Sequence, residues 1–393
     1  MNVPVSPQRP WAAIAAATVL TLPLGSIYAF SVFLKPIETG LGLSRSALSL
    51  VFGLATVGFT AGMNIAPMVY RLASPAVLIV ISTLIAATGI AMAARAGGLV
   101  TLLLGYGVVF GIAGGVIFNL LQQAVNLLVR SRIGLLNGYI LGLYPMGAMI
   151  AAPLFDWSNT TFNYHVTLLS FSAALLLFGA AGAWLLIHAG AELPARALTS
   201  DPAGAARHTV IAARLCAVFF LAAAAGLTVL SQAAGIIAAY DGAASLALWA
   251  TTGITAAIAC ARVSGGWLVD RFPVPFVSCA AHAIALTGTV ILTLWPVPLA
   301  AAAALAMIGT GYGLVSGSTA GGIAVYWPKT EYGFVASKIF IAWCVAAVTL
   351  PVLAGHLFDL TGGYRATFLI AGCGNLLGCA IALGLPRKAP GPA

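Results

Sequence analysis

The sequence predicts an all-α polytopic membrane protein with about twelve transmembrane helices in two pseudo-symmetric six-helix bundles. Hydrophobic residues make up 61% of the 393 residues and charged residues only 6%, which is typical of proteins that live in a bilayer. Apolar runs of about 20 residues recur along the chain, and each is long enough to cross a ~30 Å hydrocarbon core as a helix. The chain also repeats itself at a constant offset of 200 residues.

The apolar runs divide into six before and six after the longest polar stretch, 189–209. The first run follows a short arm that contains Arg9 and is too long for the apolar region of a signal peptide, so we expect it to remain as a span. The twelve predicted spans are roughly 11–34, 47–70, 75–94, 99–129, 133–155, 166–188, 210–239, 245–269, 276–295, 299–326, 334–357 and 367–385.

The internal repeat is clearest where 61–77 aligns with 261–277, sharing an Ala, two Val, an Arg and a Pro. It predicts an N-terminal bundle over 1–188, a cytoplasmic linker over 189–209 and a C-terminal bundle over 210–393. Parallel repeats with a site at their interface near the bilayer midplane are typical of alternating-access transporters. Gly62 stands at the place of Arg262, so the repeat itself does not require an arginine there.

The distribution of Lys and Arg predicts the orientation, because cytoplasmic loops retain these residues. Both termini and the linker are expected in the cytoplasm, and we expect the cytoplasmic membrane of a bacterium. The net charge of +9 is explained by topology and anionic lipid, without nucleic-acid binding. On the predicted cytoplasmic side lie Arg9, Arg71, Arg130, Arg132, Arg196, Arg207, Arg214, Arg271, Lys329, Lys338, Arg387 and Lys388, and on the other side lie Lys35, Arg45, Arg95 and Arg365.

Arg262 is a charge inside an apolar segment. A helical rise of 1.5 Å per residue places it about 12 Å from Asp270, where the segment ends, and insertion there costs about 2.5–3.5 kcal/mol. Its planar guanidinium meets a carboxylate in two parallel hydrogen bonds and stays charged at physiological pH. We therefore predict an anion-binding residue. The alternative is an arginine that extends to the headgroups or pairs with a helix C-terminus.

The segment after Arg262 carries a family resemblance. Gly266, three residues, then Asp270 and Arg271 resemble the loop motif of the major facilitator superfamily, which implies that fold and a gating or structural role for these three residues. The first half has Ala66 and Tyr70 at the places of the Gly and Asp. The motif is therefore present in one copy only.

Within that superfamily the chain resembles the oxalate/formate antiporters and the monocarboxylate transporters. The residues that carry the resemblance are Gly-Ser-Ile-Tyr-Ala-Phe at 25–30, the Ala-Arg pair ending at Arg262, and Ala-Gly-His-Leu-Phe-Asp-Leu-Thr-Gly-Gly-Tyr at 354–364. The resemblance implies that Arg262 pairs with the substrate carboxylate and that Tyr28 lines the same cavity.

The chain also departs from these families. Ile258 stands where proton-moving monocarboxylate transporters carry an Asp one turn before the arginine, and Val32 nearly matches the place of their Lys. Trp343 matches the second cation of the oxalate exchangers, with Lys338 displaced toward the cytoplasm. These departures favour a monoanion over a dianion.

Uncharged polar residues in the spans are further candidates for the binding site. Asn119 shares one helix face with Gln123 and Asn126, as expected for a stripe that faces a water-filled pathway. Interhelical hydrogen bonds are an equal alternative for Asn119 and the favoured one for the other two. Lys338 lies near the start of its span, where extension to the headgroups is the favoured alternative. The remaining candidates are Tyr139, Tyr144, Gln232 and Tyr312, for which packing with a satisfied hydroxyl or amide is the alternative.

The positions of the acidic residues bear on whether transport is coupled to proton movement. All eight carboxylates fall at span ends or in loops under this threading, so we predict exchange or facilitated movement in preference to obligatory proton symport. His282 and His356 are lone histidines for which a structural role is favoured over proton transfer. A buried proton site would have to be a histidine or the substrate, and His356 or an external Asp are the groups that could still titrate. The eight are Glu38, Asp156, Glu192, Asp201, Asp241, Asp270, Glu331 and Asp359.

The predicted function is a secondary active or facilitative transporter of a small organic anion, with a monocarboxylate as the favoured class. We expect no enzymatic activity, no cofactor, no metal and a monomer in the lipid bilayer. Two alternatives stay open. One is a transporter of a neutral or amphipathic solute, with Arg262 as a structural gate residue; the other is a non-transporting receptor or assembly subunit with the same fold.

Overall fold

The computed structural model describes residues 8–193 and 202–388, and helices fill almost all of them. Short turns separate most consecutive helices, but a π-helical segment, Leu103–Phe110, joins α5 to α6 within one span. The α-helices are α1 Pro10–Leu24, α2 Ser31–Leu41, α3 Arg45–Val69, α4 Pro75–Ala94, α5 Leu99–Leu102, α6 Gly111–Leu128, α7 Ile133–Thr161, α8 Tyr164–Ala189, α9 Pro202–Ala239, α10 Ala244–Val269, α11 Val274–Leu294, α12 Pro298–Tyr326, α13 Tyr332–Thr361 and α14 Arg365–Leu383.

Within the described residues, twelve helical segments are long and apolar enough to cross a membrane, which confirms the predicted fold class. Helix α4 begins and ends where the sequence predicts. Helix α9 begins at Pro202, inside the predicted loop 189–209; its first turns are rich in Ala, a strong helix former, although they are too polar to be recognised as a span. The part of that loop over 194–201 lies outside the described residues.

The first span is interrupted. Helix α1 contains Pro23, and a 3₁₀ turn over Gly25–Ala29 follows before α2 begins at Ser31. Proline removes a backbone donor and crowds the preceding turn, and a glycine two residues later weakens the helix further. The interruption places Tyr28 on a tight turn, where its side chain is half-buried.

The helices form two compact units. Unit 1 comprises Met1–Ser131, Met146–Leu198 and Lys329–Ser337. Inside it α3 packs on α6, α4 packs on α8, and α1 packs on both α6 and α8.

Unit 2 comprises Arg132–Pro145, Thr199–Pro328 and Lys338–Ala393. Its packing repeats that of unit 1: α10 packs on α12, α11 on α14, and α9 on both α12 and α14. Helices α3 and α10 end at Val69 and Val269, 200 residues apart. The repeat seen in the sequence is therefore also a repeat of helix ends and helix partners.

Two helices are divided between the units. The first part of α7, up to Pro145, belongs to unit 2, and the first turns of α13, up to Ser337, belong to unit 1. The small residues of α7 explain its division: a Cβ at Gly142 would lie 3.1 Å from the Ala259 carbonyl oxygen of α10, and one at Gly147 would lie 1.9 Å from the Leu22 carbonyl oxygen of α1. The domain bounds 1–188 and 210–393 remain a prediction beside these packing units.

Many large apolar side chains are exposed, including Leu299 at 75%, Trp249 at 74% and Leu177 at 73%. A water-soluble protein of this size would bury or pair most of such a surface. A helix surface in contact with lipid tails has no such requirement, because lipid is as apolar as leucine. The surface therefore agrees with a chain that spans a membrane.

Candidate functional site

Arg262 is buried inside α10, with 5% of its surface exposed. Its Nη1 donates to the Leu141 carbonyl oxygen of α7 at 2.9 Å, and its Nη2 donates to the Tyr312 hydroxyl of α12 at 2.9 Å. All three residues lie in unit 2. These bonds fix the plane of the guanidinium from two helices, and the side chain does not extend to the end of its span.

Close helix packing holds the backbone of Arg262. A Cβ at Gly138 of α7 would lie 2.3 Å from the Arg262 carbonyl oxygen, and one at Gly317 of α12 would lie 2.0 Å from the same atom. Real Cβ atoms do not approach a carbonyl this closely, so only glycine fits at either position. The small residues that allow close helix approach in membranes thus set the position of the buried cation.

Tyr312 connects Arg262 to a third helix. It is 1% exposed, and its hydroxyl also accepts a hydrogen bond from Nε1 of Trp343 in α13 at 2.9 Å. The Arg262 guanidinium carbon lies 5.4 Å from the centroid of the Tyr312 ring, within range of a cation–π interaction. Arg262, Tyr312 and Trp343 therefore form one hydrogen-bonded group, which we call the Arg262 cluster.

The sequence identified two members of the Arg262 cluster and missed the third. In the sequence, Trp343 is recognisable only as a departure from a family pattern. Its position at the place of a second cation was the available signal, because a residue that replaces a binding group occupies the binding position. An isolated aromatic residue in a span otherwise indicates core packing.

The other predicted tyrosines lie in two places. Tyr144 is buried in α7, one helical turn from Leu141, and Tyr139 is half-buried two residues before Leu141. Residues three apart share a helix face, whereas residues two apart do not. Tyr144 is thus on the side of α7 that presents the Leu141 carbonyl. Tyr28 lies on the 3₁₀ turn of the first span in unit 1.

Gln232 and Lys338 are placed differently from the Arg262 cluster. The Gln232 side-chain oxygen accepts a hydrogen bond from the Tyr364 hydroxyl at 3.2 Å, seven residues before α9 ends, so it holds the start of α14. Lys338 is exposed near the start of α13. Five residues separate it from Trp343, which puts the two side chains about 140° apart around the helix.

Asn119 makes interhelical hydrogen bonds. Its Nδ2 donates to the Met63 carbonyl oxygen at 3.2 Å and to the Gly333 carbonyl oxygen at 2.8 Å, while its Oδ1 accepts from the Tyr70 hydroxyl. Both hydrogens of its amide are therefore used within unit 1. These contacts agree with the alternative role of the amide stripe, and Asn119 is not a member of the Arg262 cluster.

The same amide stripe binds the start of α13. The Gly333 amide donates to Oε1 of Gln123 at 2.6 Å, and Nε2 of Gln123 donates to the Lys329 carbonyl oxygen at 2.8 Å. Burial raises the pKa of the Tyr70 hydroxyl well above its usual range, so it remains a donor to Asn119 at physiological pH. We call Tyr70, Asn119 and Gln123 the neutral cap of α13.

Asp270, from the loop motif, binds the start of α7. Its two carboxylate oxygens accept from the amides of Gly134 and Leu135, each at 2.8 Å. A negative charge at a helix N-terminus is stabilised by the unpaired amides and the helix dipole. Arg271 stacks on Trp267, its guanidinium carbon 3.9 Å from the ring centroid. We call this arrangement the ionic cap of α7.

The motif glycine supports the ionic cap. A Cβ at Gly266 would lie 2.1 Å from the Gly134 carbonyl oxygen, so α7 and α10 pack closely beside the cap. Gly266 and Asp270 therefore act on the same turn of α7, one by allowing contact and the other by accepting its amides. This agrees with the gating or structural role predicted for the motif.

Within the described residues, twelve candidate spans fall in two packing units with repeated helix partners, which is the architecture of a polytopic membrane protein. The family model of the Major Facilitator Superfamily matches residues 16–347. The chain belongs to that superfamily, as the loop motif predicted, and its members are transporters and not enzymes.

Two relatives and one solved structure show which proteins this chain is similar to. The chain is 25% identical over 380 residues to monocarboxylate transporter 13 of Rattus norvegicus, covering 93% of this chain and 86% of the relative. It is 27% identical over 346 residues to monocarboxylate transporter 11 of Mus musculus, covering 80% and 73%. The crystal structure of FucP, a superfamily transporter in the outward conformation, matches with a TM-score of 0.74 at 15% identity, covering 95% of this chain and 99% of FucP. The structural match supports the fold alone.

Proposed function

We propose that this protein is a secondary active or facilitative transporter of a small organic anion, with a monocarboxylate as its substrate class, and that Arg262 pairs with the carboxylate. The observation that carries the proposal is the burial of Arg262 inside a span, where Leu141 and Tyr312 orient its guanidinium. The names of the relatives, monocarboxylate transporters 13 and 11, support the substrate class.

The chemistry of arginine supports an anion as the ligand. A buried cation is expensive in a membrane and is retained where it binds something. The guanidinium has five N–H donors in a fixed fork and is less strongly hydrated than an ammonium, so it matches the two oxygens of a carboxylate. The Leu141 and Tyr312 bonds use one donor on each terminal nitrogen, which fixes the direction of the fork.

The number of central cations supports a substrate with a single negative charge. The position that matches the second cation of oxalate exchangers holds Trp343, whose indole is 5% exposed and faces Tyr312. Lys338 lies on another face of α13. A single carboxylate neutralises one guanidinium, whereas a dianion would keep a buried negative charge, which is costly.

The placement of the acidic residues supports exchange or facilitated movement. Asp241 and Asp270 follow the ends of α9 and α10, and Glu331 precedes the start of α13. Asp359 lies two residues before α13 ends. A carboxylate that carries protons across a midplane site would lie deeper in a span. We propose that the protein exchanges anions without obligatory proton symport.

The orientation and state of assembly are part of the proposal. The surplus of Lys and Arg in one set of loops favours cytoplasmic termini and a cytoplasmic linker. Arg196, one of these cations, lies outside the described residues. We propose a monomer as the transporting unit and the cytoplasmic membrane as its location.

Uptake by proteoliposomes tests the substrate class. Purified protein is reconstituted, and the uptake of labelled acetate, lactate, pyruvate, benzoate, glucose and choline is measured. We expect saturable uptake of at least one carboxylate, and at least tenfold slower uptake by Arg262→Lys, because a lysine cannot form two parallel hydrogen bonds. Arg387→Lys is the matched control, since this exposed arginine lies over Phe276 with its guanidinium carbon 5.0 Å from the ring centroid.

The results separate the alternatives. Uptake of a neutral solute at equal rates in wild type and Arg262→Lys would overturn the proposal in favour of a neutral-solute transporter. Saturable binding of a carboxylate without uptake would indicate a receptor. Equal carboxylate uptake by Arg262→Lys and Arg387→Lys would remove Arg262 from the binding site.

A further inference from the structure

The hydroxyl of Tyr312 is constrained by its two partners. A phenol oxygen has one hydrogen to donate and lone pairs that accept. The Arg262 Nη2 and the Trp343 Nε1 are both 2.9 Å from this oxygen, and neither nitrogen can accept. The Tyr312 oxygen must therefore accept from both, which uses its two acceptor positions.

The remaining capacity of Tyr312 is a single O–H donor. Within the described residues, 8–193 and 202–388, its hydroxyl takes part in no hydrogen bonds besides these two. The residue is 1% exposed and Trp343 is 5% exposed, so this O–H donor is buried next to the Arg262 guanidinium, whose Nη2 lies 2.9 Å from the same oxygen. Buried polar groups are almost always paired, so this donor is a candidate to bind a ligand.

We propose that Trp343 is a positioning residue that makes Tyr312 a donor only, so that the site selects an acceptor-only carboxylate group over its uncharged carboxamide isostere. This inference rests on the proposed function. A carboxylate accepts from both Arg262 and Tyr312. A carboxamide of the same shape has an NH₂ group that finds no acceptor at the Tyr312 oxygen, because Arg262 and Trp343 occupy its lone pairs.

The role of Trp343 is separable from its packing. Trp343→Phe keeps an aromatic ring but removes the indole N–H, which returns one acceptor position to Tyr312. The hydroxyl could then turn and accept from an NH₂ group. The change predicted by the hydrogen-bond argument is therefore a gain for the carboxamide, whereas loss of packing would weaken both ligands.

A double-mutant cycle tests the inference. Dissociation constants are measured for the carboxylate of the uptake panel that is transported fastest and for its carboxamide, with wild type, Trp343→Phe, Tyr312→Phe and the double variant. The quantity compared is the ratio of the two constants, which does not depend on the fraction of protein that folds correctly. Trp327→Phe is the control, because this tryptophan is also buried in unit 2, with its ring 5.5 Å from that of His208.

We expect Trp343→Phe to reduce the preference for the carboxylate about tenfold, equal to one hydrogen bond. In the Tyr312→Phe background the same change should leave the ratio constant, because the hydroxyl through which Trp343 acts is gone. Trp327→Phe should leave the ratio at the wild-type value.

Two results would overturn the inference. The first is an unchanged ratio in Trp343→Phe. The second is an equal change in both backgrounds, which would mean that Trp343 acts by packing or by touching the ligand. Either result would leave the proposed function standing if Arg262→Lys still loses carboxylate uptake. If wild type takes up none of the carboxylates, the proposed function fails and this inference fails with it.

Discussion

Helices α3 and α10 occupy equivalent places in the repeat but serve different purposes. At one position α3 has Gly62, where a Cβ would lie 1.9 Å from the Ile112 carbonyl oxygen of α6. The equivalent residue of α10 is Arg262, and its contacts with α7 and α12 depend on glycines of those two helices. The first half uses the position for packing, and the second half uses it for a buried charge.

The ends of the same two helices differ in a related way. Tyr70 follows α3 and Asp270 follows α10, again 200 residues apart. Tyr70 belongs to the neutral cap, which holds the start of α13, and Asp270 forms the ionic cap, which holds the start of α7. The two halves have a helix cap at the equivalent location, built from a carboxylate in one half and from a tyrosine with two amides in the other. Similar architecture therefore does not imply similar electrostatics.

The largest effect is expected at the packing position of α3. Gly62→Ala places a methyl group 1.9 Å from a backbone oxygen, so α3 and α6 must separate, at a cost of about 3 kcal/mol or more in the free energy of unfolding. Gly53→Ala is the matched control in the same helix, because its Cβ would meet nothing within 4 Å. For Gly53→Ala we expect the free energy of unfolding to rise by about 0.5–1 kcal/mol, because alanine has a higher helix propensity than glycine. Thermal unfolding in detergent measures both, and equal stability of the two variants would contradict the assignment.

A smaller effect is expected at the ionic cap. Asp270→Asn keeps the shape but leaves one oxygen for two amides, at a cost of about 1–2 kcal/mol. Hydrogen exchange at Gly134 and Leu135 should accelerate about tenfold, with little change at Gly333. Asp241→Asn is the control, since this exposed residue has a positive φ of 58° that asparagine tolerates. Unchanged protection of both amides would show that the carboxylate does not hold α7.

The smallest effect is expected at the neutral cap. Tyr70→Phe removes one hydroxyl, while Gln123 still binds the Gly333 amide, so the cost is about 1 kcal/mol. Exchange at Gly333 should rise several-fold, without change at Gly134. Tyr240→Phe is the matched loss of a hydroxyl, because Tyr240 bonds the Leu292 carbonyl oxygen at 2.9 Å. A greater loss of amide protection at Gly333 in Tyr70→Phe than at Gly134 in Asp270→Asn would contradict the expectation that the ionic cap is the stronger of the two caps.

The way in which anion transport is driven gives a further test of the C-terminal half of the molecule. We expect internal substrate to accelerate carboxylate uptake strongly in vesicles at clamped membrane potential, and a pH gradient alone to drive little accumulation. His356 is exposed, and His282 is buried with its Nδ1 2.9 Å from Oδ1 of Asn375. Concentrative uptake driven by external acid and lost in His356→Ala would contradict exchange and assign the proton to that residue.

The sequence predicted the spans and the buried charge well, because both depend on local hydrophobicity. Arg262 stands out as a charge in an apolar run, and α4 has the predicted bounds. The partners of the charge could not be predicted the same way. The bond from Trp343 to Tyr312 and the bond between Asn119 and Gly333, 214 residues away, depend on tertiary packing that no local period encodes.

The central claim is that Arg262 binds a carboxylate, and equilibrium binding tests it most directly. The dissociation constant of the transported carboxylate is measured by calorimetry for wild type, Arg262→Lys, Arg262→Ala and the Arg387→Lys control. We expect a loss of about 10- to 100-fold in Arg262→Lys, equal to one charge-assisted hydrogen bond, no detectable binding to Arg262→Ala, and wild-type affinity in the control. Wild-type affinity in both Arg262 variants would contradict the account.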